Sequence, residues 1–93
     1  MKINERTGQV IIDKKEYHLT RTEMRVLISL KENKGTYEEI YYSLYRIKED
    51  RLRPAEIECL SSIVSRIRKK TGLKIKNYSS YGYYLGGTNG KIQ

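Results

Sequence analysis

The sequence predicts an α+β fold in which a small N-terminal antiparallel sheet, three helices and a C-terminal β-hairpin follow one another. Three observations support it: short apolar runs around a polar turn near the N-terminus, three segments with apolar residues at helical spacing, and a tyrosine-rich pair of segments near the C-terminus. A chain of 93 residues with 38% hydrophobic content suits a single domain with one core. We expect that domain to span residues 1–85 and residues 86–93 to form a flexible tail.

The N-terminal sheet is predicted from two apolar-rich runs, residues 9–12 and 16–19, on either side of a polar turn at residues 13–15. Short runs separated by such a turn are typical of a β-hairpin. Ile3 can belong to a further strand. We therefore expect two or three short strands before the first helix.

Two capping boxes predict the starts of the first two helices. In each box a threonine precedes a glutamate by three residues, Thr20 with Glu23 and Thr36 with Glu39, so that both side chains can satisfy free backbone N–H groups. Residues 33–35 supply the stop of the first helix. The predicted buried residues are Met24, Leu27, Ile28 and Leu30 in helix 1 and Ile40, Tyr41, Leu44 and Tyr45 in helix 2.

The third helix has the clearest boundaries. Pro54 suits a first helical position, acidic residues follow near the positive end of the helix dipole, basic residues crowd its negative end, and Gly72 follows the last turn. Helix 2 is expected to end near Tyr45, so residues 46–53, which show no clear period, form an exposed loop. The predicted inner stripe of helix 3 is Ile57, Leu60, Val64 and Ile67, and the opposite face carries Glu58, Ser62, Ser65, Arg66 and Lys69.

A second hairpin closes the predicted fold. Residues 73–78 alternate between apolar and polar side chains, as a half-buried strand does. Ser79 and Ser80 then separate this segment from residues 81–85. Alternation on both sides of a polar turn predicts a C-terminal β-hairpin.

Composition excludes several classes of function. No apolar run approaches the roughly 20 residues of a membrane span, and the N-terminus lacks a secretory signal, so we expect a cytoplasmic protein. The single cysteine, Cys59, excludes an internal disulfide and a cysteine-based zinc cluster, and its place in a helical run indicates a buried or half-buried side chain. His18 has no second metal ligand at suitable spacing. Because no nucleophile with a base and no phosphate loop is present, we expect neither an enzyme nor a cofactor.

Charge is distributed unevenly along the chain. Residues 61–93 contain seven basic side chains and no Asp or Glu, whereas residues 1–60 contain twelve basic and eleven acidic side chains. The C-terminal third therefore supplies most of the net charge of +8. This asymmetry indicates a polyanionic partner, and nucleic acid is the leading candidate.

The outer face of helix 3 carries the predicted DNA contacts, because the major groove admits an α-helix and distinguishes all four base pairs. Arg66 is expected to read a guanine edge by donating to O6 and N7, and Ser62 and Ser65 are expected to contact bases or phosphates. Phosphate contacts are expected from Arg68, Lys69, Lys74, Lys76 and Asn77. In the competing interpretation the basic face is merely solvated and the serine hydroxyls bond to the preceding helical turn.

Four segments together carry a family resemblance. They are residues 17–23 (Tyr-His-Leu-Thr-Arg-Thr-Glu), 36–40 (Thr-Tyr-Glu-Glu-Ile), 64–70 (Val-Ser-Arg-Ile-Arg-Lys-Lys) and 81–85 (Tyr-Gly-Tyr-Tyr-Leu). In this order the chain resembles, from about Ile3 to Leu85, the C-terminal effector domain of OmpR/PhoB-type response regulators. The last two segments are specific in combination and weak alone. The resemblance implies a winged helix-turn-helix, with a recognition helix at about 54–71 in the major groove and a wing at about 73–85.

The resemblance also implies partners. The loop 46–53 resembles the family's transactivation loop, which can face RNA polymerase, and a simple connector with arginines near phosphates is an equal alternative. Binding as a homodimer or as tandem copies on repeated half-sites is implied as well. The basic residues of the loop are Arg46, Lys48, Arg51 and Arg53.

Two features depart from the family pattern. Relatives often carry an arginine in the wing where this chain has Ser79, so we expect Ser79 to make no more than a phosphate contact. The chain also begins at Met1 without a receiver domain. We therefore expect either a stand-alone regulator or the output domain of a longer one.

These observations predict sequence-specific double-stranded DNA binding by a transcription regulator. One alternative is a protein-interaction module on the same scaffold that contacts RNA polymerase or another regulator. A further alternative is single-stranded nucleic acid binding through Tyr78, Tyr81, Tyr83 and Tyr84. Alternation argues against the last, because about half of these rings should point into the core.

Overall fold

The computed structural model describes residues 1–78 and 80–86. It confirms the predicted α+β class, and the arrangement is compatible with a winged helix-turn-helix. Within these residues no helix has the length and apolar character needed to cross a membrane. The elements are β1 (Lys2–Asn4), β2 (Gln9–Ile12), β3 (Lys15–His18), α1 (Arg21–Lys31), α2 (Tyr37–Tyr45), α3 (Pro54–Thr71), β4 (Ile75–Tyr78) and β5 (Gly82–Leu85).

The N-terminal sheet is antiparallel with the strand order β1-β2-β3. Val10 pairs with Ile3 on one side and with Tyr17 on the other. The turn between β2 and β3 places Asp13 and Lys14 at φ values of 50° and 69°, the left-handed conformation of a two-residue hairpin turn. The sheet packs on α1 through a cluster formed by Val10, Leu19, Met24 and Leu27.

Both predicted capping boxes are present. The Glu23 N–H donates to Thr20 Oγ1 at 3.2 Å, and the Thr20 N–H donates to Glu23 Oε1 at 3.0 Å. Thr36 and Glu39 exchange the equivalent pair of hydrogen bonds, both at 3.1 Å. At the other end of the helical region, α3 is followed by Gly72 at a φ of 73°, a conformation that favours glycine.

The main core lies between the three helices and the C-terminal hairpin. The predicted stripe of α3 is correct at Leu60, Val64 and Ile67, whereas Ile57 is only partly buried and Ile63 is buried instead. At 100° per residue the buried arc is centred near Leu60, which leaves Ile57 at its edge. The buried members of this core are Val26, Leu30, Tyr37, Ile40, Leu52, Leu60, Ile63, Val64, Ile67, Ile75 and Tyr83.

Three predictions of burial are wrong. Cys59 is exposed, because it lies about 100° around the helix from the buried Leu60. Tyr45, predicted as part of the buried stripe of α2, is 49% exposed at the last residue of that helix. Leu52 is 4% exposed and joins the core, although the loop 46–53 was expected to lie wholly at the surface.

The C-terminal hairpin is attached to the segment that precedes α2. Thr36 and Gly82 form an isolated antiparallel bridge, and the Tyr83 N–H donates to the Gly35 carbonyl at 2.8 Å. A Cβ atom on Gly82 would lie 1.9 Å from the Gly35 oxygen, so this crossing requires glycine. Gly86, assigned to the tail by the sequence, is buried, and its N–H donates to the Lys74 carbonyl at 2.8 Å. The rest of the predicted tail and Ser79 lie outside the described residues.

Candidate nucleic-acid interface

The outward face of α3 carries short polar and basic side chains, with the carboxylate of Glu58 also exposed nearer the start of the helix. Ser62, Ser65, Arg66 and Lys69 are all exposed, on the side of the helix opposite the buried arc. Ser62 and Ser65 have short side chains, which permit close approach of a partner to this face. The exposure that the sequence predicted for these four side chains is confirmed, and their contacts with DNA stay predictions.

Arg66 is held by a carboxylate from α1. Its Nε lies 3.3 Å from Glu23 Oε2, while 56% of its side chain remains exposed. The Lys70 ammonium donates to the other oxygen, Glu23 Oε1, at 2.8 Å. Since Glu23 is only 1% exposed, one buried carboxylate receives two cations from α3. The base-reading side chain predicted from sequence is thus partly neutralised and also fixed in place.

The protonation of Glu23 depends on a balance of opposing effects. Burial raises the pKa of this carboxyl, but the hydrogen bonds from Lys70 and the Thr20 backbone, together with the charges of Lys70 and Arg66, outweigh burial and lower the pKa below its ordinary value of 4.5. The carboxylate is therefore ionised at neutral pH. Its charge stabilises the cationic side chains of Arg66 and Lys70.

Arg68 lies on the other flank of α3 and holds the wing. Its Nε donates to the Ile75 carbonyl at 2.9 Å, its Nη2 donates to the same oxygen, and its guanidinium carbon lies 6.0 Å from the centre of the Tyr83 ring. The Tyr83 hydroxyl in turn donates to Ser61 Oγ at 2.9 Å. The guanidinium of Arg68 is therefore occupied within the protein, and its phosphate contact stays a prediction.

Three wing residues of the predicted interface, Lys74, Lys76 and Asn77, are exposed, and Ser79 lies outside the described residues. Lys74 precedes β4, and Lys76 and Asn77 lie within it. Lys76 stands opposite Tyr84, and Asn77 stands opposite Tyr83. Lys74 and Lys76 extend the cationic character of α3 onto the hairpin, and Asn77 adds a neutral amide.

The loop between α2 and α3 lies partly along a different surface. Arg46 ends α2 in a left-handed conformation, and its guanidinium carbon lies 5.5 Å from the centre of the Tyr42 ring. Arg46 and Lys48 line a groove of about 580 Å³ with residues of α1 and α2, whereas Arg51 and Arg53 are exposed outside it. The acidic residues of this groove are Glu5, Glu32, Glu38, Glu39, Glu49 and Asp50.

Sequence reasoning missed the ionic role of Glu23. It assigned the residue to a capping box, which is correct, but not to Arg66 and Lys70, which lie 43 and 47 residues further along the chain. A signal existed: Glu23 lies four residues before Leu27 and therefore on the buried face of α1. A carboxylate on a buried face requires a cationic or hydrogen-bonding partner.

In the part of the chain that the structure describes, no group of three or more metal-ligating side chains could hold a metal ion.

Comparison with known proteins adds no relative: no protein-family model matches the chain, and no curated protein matches its sequence at a significant level.

Proposed function

We propose that this chain is a sequence-specific double-stranded DNA-binding transcription regulator, with α3 in the major groove and the β4–β5 hairpin as the wing. The observation that carries the proposal is the exposed face of α3, where Ser62, Ser65, Arg66 and Lys69 point away from the core. Small side chains permit close approach to base edges, and the basic ones provide donors for guanine and phosphate. The resemblance to OmpR/PhoB-type effector domains supports the same assignment.

The contact between Glu23 and Arg66 supports base readout by Arg66. A salt bridge through Nε restricts the side chain, and more than half of that side chain remains open to solvent. A guanidinium has five N–H donors, so one contact to a carboxylate leaves others available. A donor that is already oriented loses less conformational entropy on binding. Glu23 is therefore a positioning residue in this proposal.

The charge distribution supports a polyanionic partner. No Asp or Glu occurs after Glu58, so α3 beyond its first turns and the wing present one sign of charge. A duplex bound there would be contacted by Lys69, Lys74 and Lys76 at its phosphates. The proposal includes a cytoplasmic location, where such DNA is accessible, and binding as a homodimer or as tandem copies on repeated half-sites.

Selection from a random duplex library tests the proposal. If the chain is such a regulator, the selected DNA should be enriched in a short sequence motif, and the spacing of repeated motifs would give the separation of the half-sites. Recovery of an unenriched library from a folded protein would contradict sequence-specific binding.

Substitution of Arg66 tests its assigned role on the recovered site. Arg66→Ala should weaken binding to that site by about 1 to 3 kcal/mol and change binding to random duplex little, as a lost guanine contact would. Arg66→Lys keeps the charge near Glu23 but not the forked donors, and it should lose the same preference. Equal losses on both DNAs would reassign Arg66 to phosphate contact.

A matched lysine pair tests the phosphate contacts. Lys69 and Lys31 both lie in the last turn of a helix and are exposed, but only Lys69 lies on the proposed interface. Lys69→Ala should weaken binding uniformly across sequences, whereas Lys31→Ala should leave it unchanged. Fluorescence anisotropy with labelled duplexes measures both. Equal effects of the two substitutions would contradict the placement of the interface.

A second candidate function is a protein-interaction module that contacts RNA polymerase or another regulator. Exposed apolar side chains that are close in the sequence favour it: Tyr42, Tyr45 and Ile47, at the end of α2 and the start of the loop, are 39%, 49% and 47% exposed. Exposed aromatic and aliphatic side chains in one area are typical of protein interfaces. Retention of polymerase by the wild-type chain, and its loss in Tyr45→Ala with DNA binding intact, would support this candidate.

A further inference from the structure

The wing carries three exposed tyrosines that contact one another. Tyr78, Tyr81 and Tyr84 are 57%, 63% and 39% exposed. The ring centres of Tyr78 and Tyr81 lie 6.0 Å apart, and those of Tyr78 and Tyr84 lie 5.8 Å apart. Strand alternation was expected to turn about half of the four wing rings inward, but only Tyr83 is buried. The hairpin therefore exposes an aromatic cluster, defined here as Tyr78, Tyr81 and Tyr84.

Strand register places a cation beside this cluster. Lys76 is paired with Tyr84, and Tyr78 is two residues further along the same strand, so all three side chains lie on one face of the hairpin. The opposite face carries Ile75 and Tyr83, which are buried. The outer face of the wing thus combines aromatic rings with an ammonium group.

The rings do not cover one another. The planes of Tyr78 and Tyr84 meet at 79°, and those of Tyr78 and Tyr81 meet at 51°. One pair is tilted and the other is edge to face, so neither pair is stacked face to face, and ring faces remain without a stacked neighbour. Together with the high exposure of Tyr78 and Tyr81, this geometry leaves room for a further planar group.

We propose that the aromatic cluster, with Lys76, is a stacking platform for an unpaired nucleobase of DNA. Every base offers a π-face, so stacking on tyrosine needs no particular sequence, and a nearby lysine attracts the adjoining phosphate. The wing contains no acidic side chain that would repel the strand. This inference rests on the proposed function, because the same hairpin is the wing beside the duplex-binding helix.

The test uses three fluorescent DNA probes: a fully paired duplex, the same duplex with a three-nucleotide mismatched bubble, and one of its single strands. The double substitution Tyr78→Ala/Tyr81→Ala should weaken binding to the bubble and the single strand by about tenfold or more, as the loss of base stacking predicts. Affinity for the paired duplex should change by less than about twofold, because the rings carry no charge for phosphate.

Matched variants separate stacking from other effects. Tyr78→Phe/Tyr81→Phe keeps the rings and should bind all three probes as the wild type does. Tyr42→Ala removes a similarly exposed tyrosine on α2 and should also leave the three affinities unchanged. Thermal unfolding checks that each variant is folded. The melting temperature should stay close to that of the wild type, because an exposed side chain contributes little to stability.

Several outcomes would overturn the inference. One is an alanine variant that binds the bubble and the single strand as tightly as the wild type. Another is equal weakening on all three probes, or a change only in the self-association of the protein, which would assign the cluster to contacts between copies. Failure of the proposed function is distinct: the wild type would then bind the single strand but show no affinity for the paired duplex and no sequence preference.

Discussion

The carboxylate of Glu23 takes part both in the cap of α1 and in ion pairs with α3. Its backbone and side chain complete the capping box of α1, and its two oxygens also receive Arg66 and Lys70 from α3. A buried carboxylate with two cations is strongly favoured over the same carboxylate without them. One residue therefore both caps the start of α1 and binds two side chains of α3, Arg66 and Lys70.

Replacing Glu23 by glutamine removes the negative charge and keeps a side chain of nearly the same shape. Glutamine can still form a capping box, so Glu23→Gln should destabilise the fold mainly through the lost charged hydrogen bonds, by about 1.5 to 3 kcal/mol. Glu39→Gln is the matched control, because Glu39 occupies the same position in the second capping box and is exposed. That change should cost under about 0.5 kcal/mol. Urea unfolding measures both, and equal losses would contradict an ionic role for Glu23.

The lowered pKa of Glu23 predicts how stability depends on pH. A carboxyl whose pKa is lower in the folded state stabilises the fold fully above its ordinary value of 4.5, and that contribution is lost as pH falls through the folded-state pKa. The difference in unfolding free energy between wild type and Glu23→Gln should therefore be constant near neutral pH and shrink in acid. A difference that does not change with pH would argue against the ion pairs.

At the scale of the elements, the crossing of the wing with the segment before α2 depends on Gly35 and Gly82. Because a Cβ on Gly82 would lie 1.9 Å from a backbone oxygen, Gly82→Ala should separate β5 from Gly35 and destabilise the fold by about 1 to 3 kcal/mol or more. Gly72→Ala is the control: nothing lies within 4 Å of its Cβ, so only its φ of 73° adds a cost, of about 1 kcal/mol. Urea unfolding distinguishes the two. A smaller loss in Gly82→Ala than in Gly72→Ala would contradict the close crossing.

The elements were predictable where their signals are local. Thr20 with Glu23 and Thr36 with Glu39 identify two helix starts within four residues each, and Gly72 identifies a helix end. The outward placement of Ser62, Ser65, Arg66 and Lys69 likewise followed from helical spacing.

The contacts that connect the elements could not be predicted in this way. The hydrogen bonds of Arg68 to the Ile75 carbonyl and of Tyr83 to Ser61 depend on how α3 and the hairpin pack, and spacing within one element carries no information about that packing. The exposure of Tyr78, Tyr81 and Tyr84 is another example. Alternation predicts two faces of a strand, but the neighbouring elements decide which of them is covered.

At the scale of the whole molecule, two regions of the described residues differ in charge. The groove between α1, α2 and the following loop is lined by six acidic and four basic side chains, whereas α3 beyond Glu58 and the wing carry basic side chains without acidic ones. Such a distribution orients a polyanion toward one side of the protein before contact. It also disfavours binding of nucleic acid at the groove.

This difference in charge predicts a strong dependence of DNA affinity on salt. The logarithm of the association constant should fall by about 0.9 per phosphate neutralised for each decade of salt concentration, and Lys69→Ala should reduce that slope by about one phosphate. Lys31→Ala should leave the slope as in the wild type. Anisotropy titrations between about 50 and 200 mM salt measure the three slopes. A wild-type affinity that is insensitive to salt would contradict binding through the basic surface.

Under the proposed function, the two contacts that join α3 to the wing, Arg68 with the Ile75 carbonyl and Tyr83 with Ser61, have a geometric consequence for the DNA site. Because these contacts hold the helix and the hairpin at a fixed separation, the two DNA tracts that they would contact must also lie at a fixed separation. Inserting one base pair between the two tracts would displace the second tract by about 3.4 Å along the axis and rotate it by about 35°. Operator length, and not only operator composition, would then be selected by this chain.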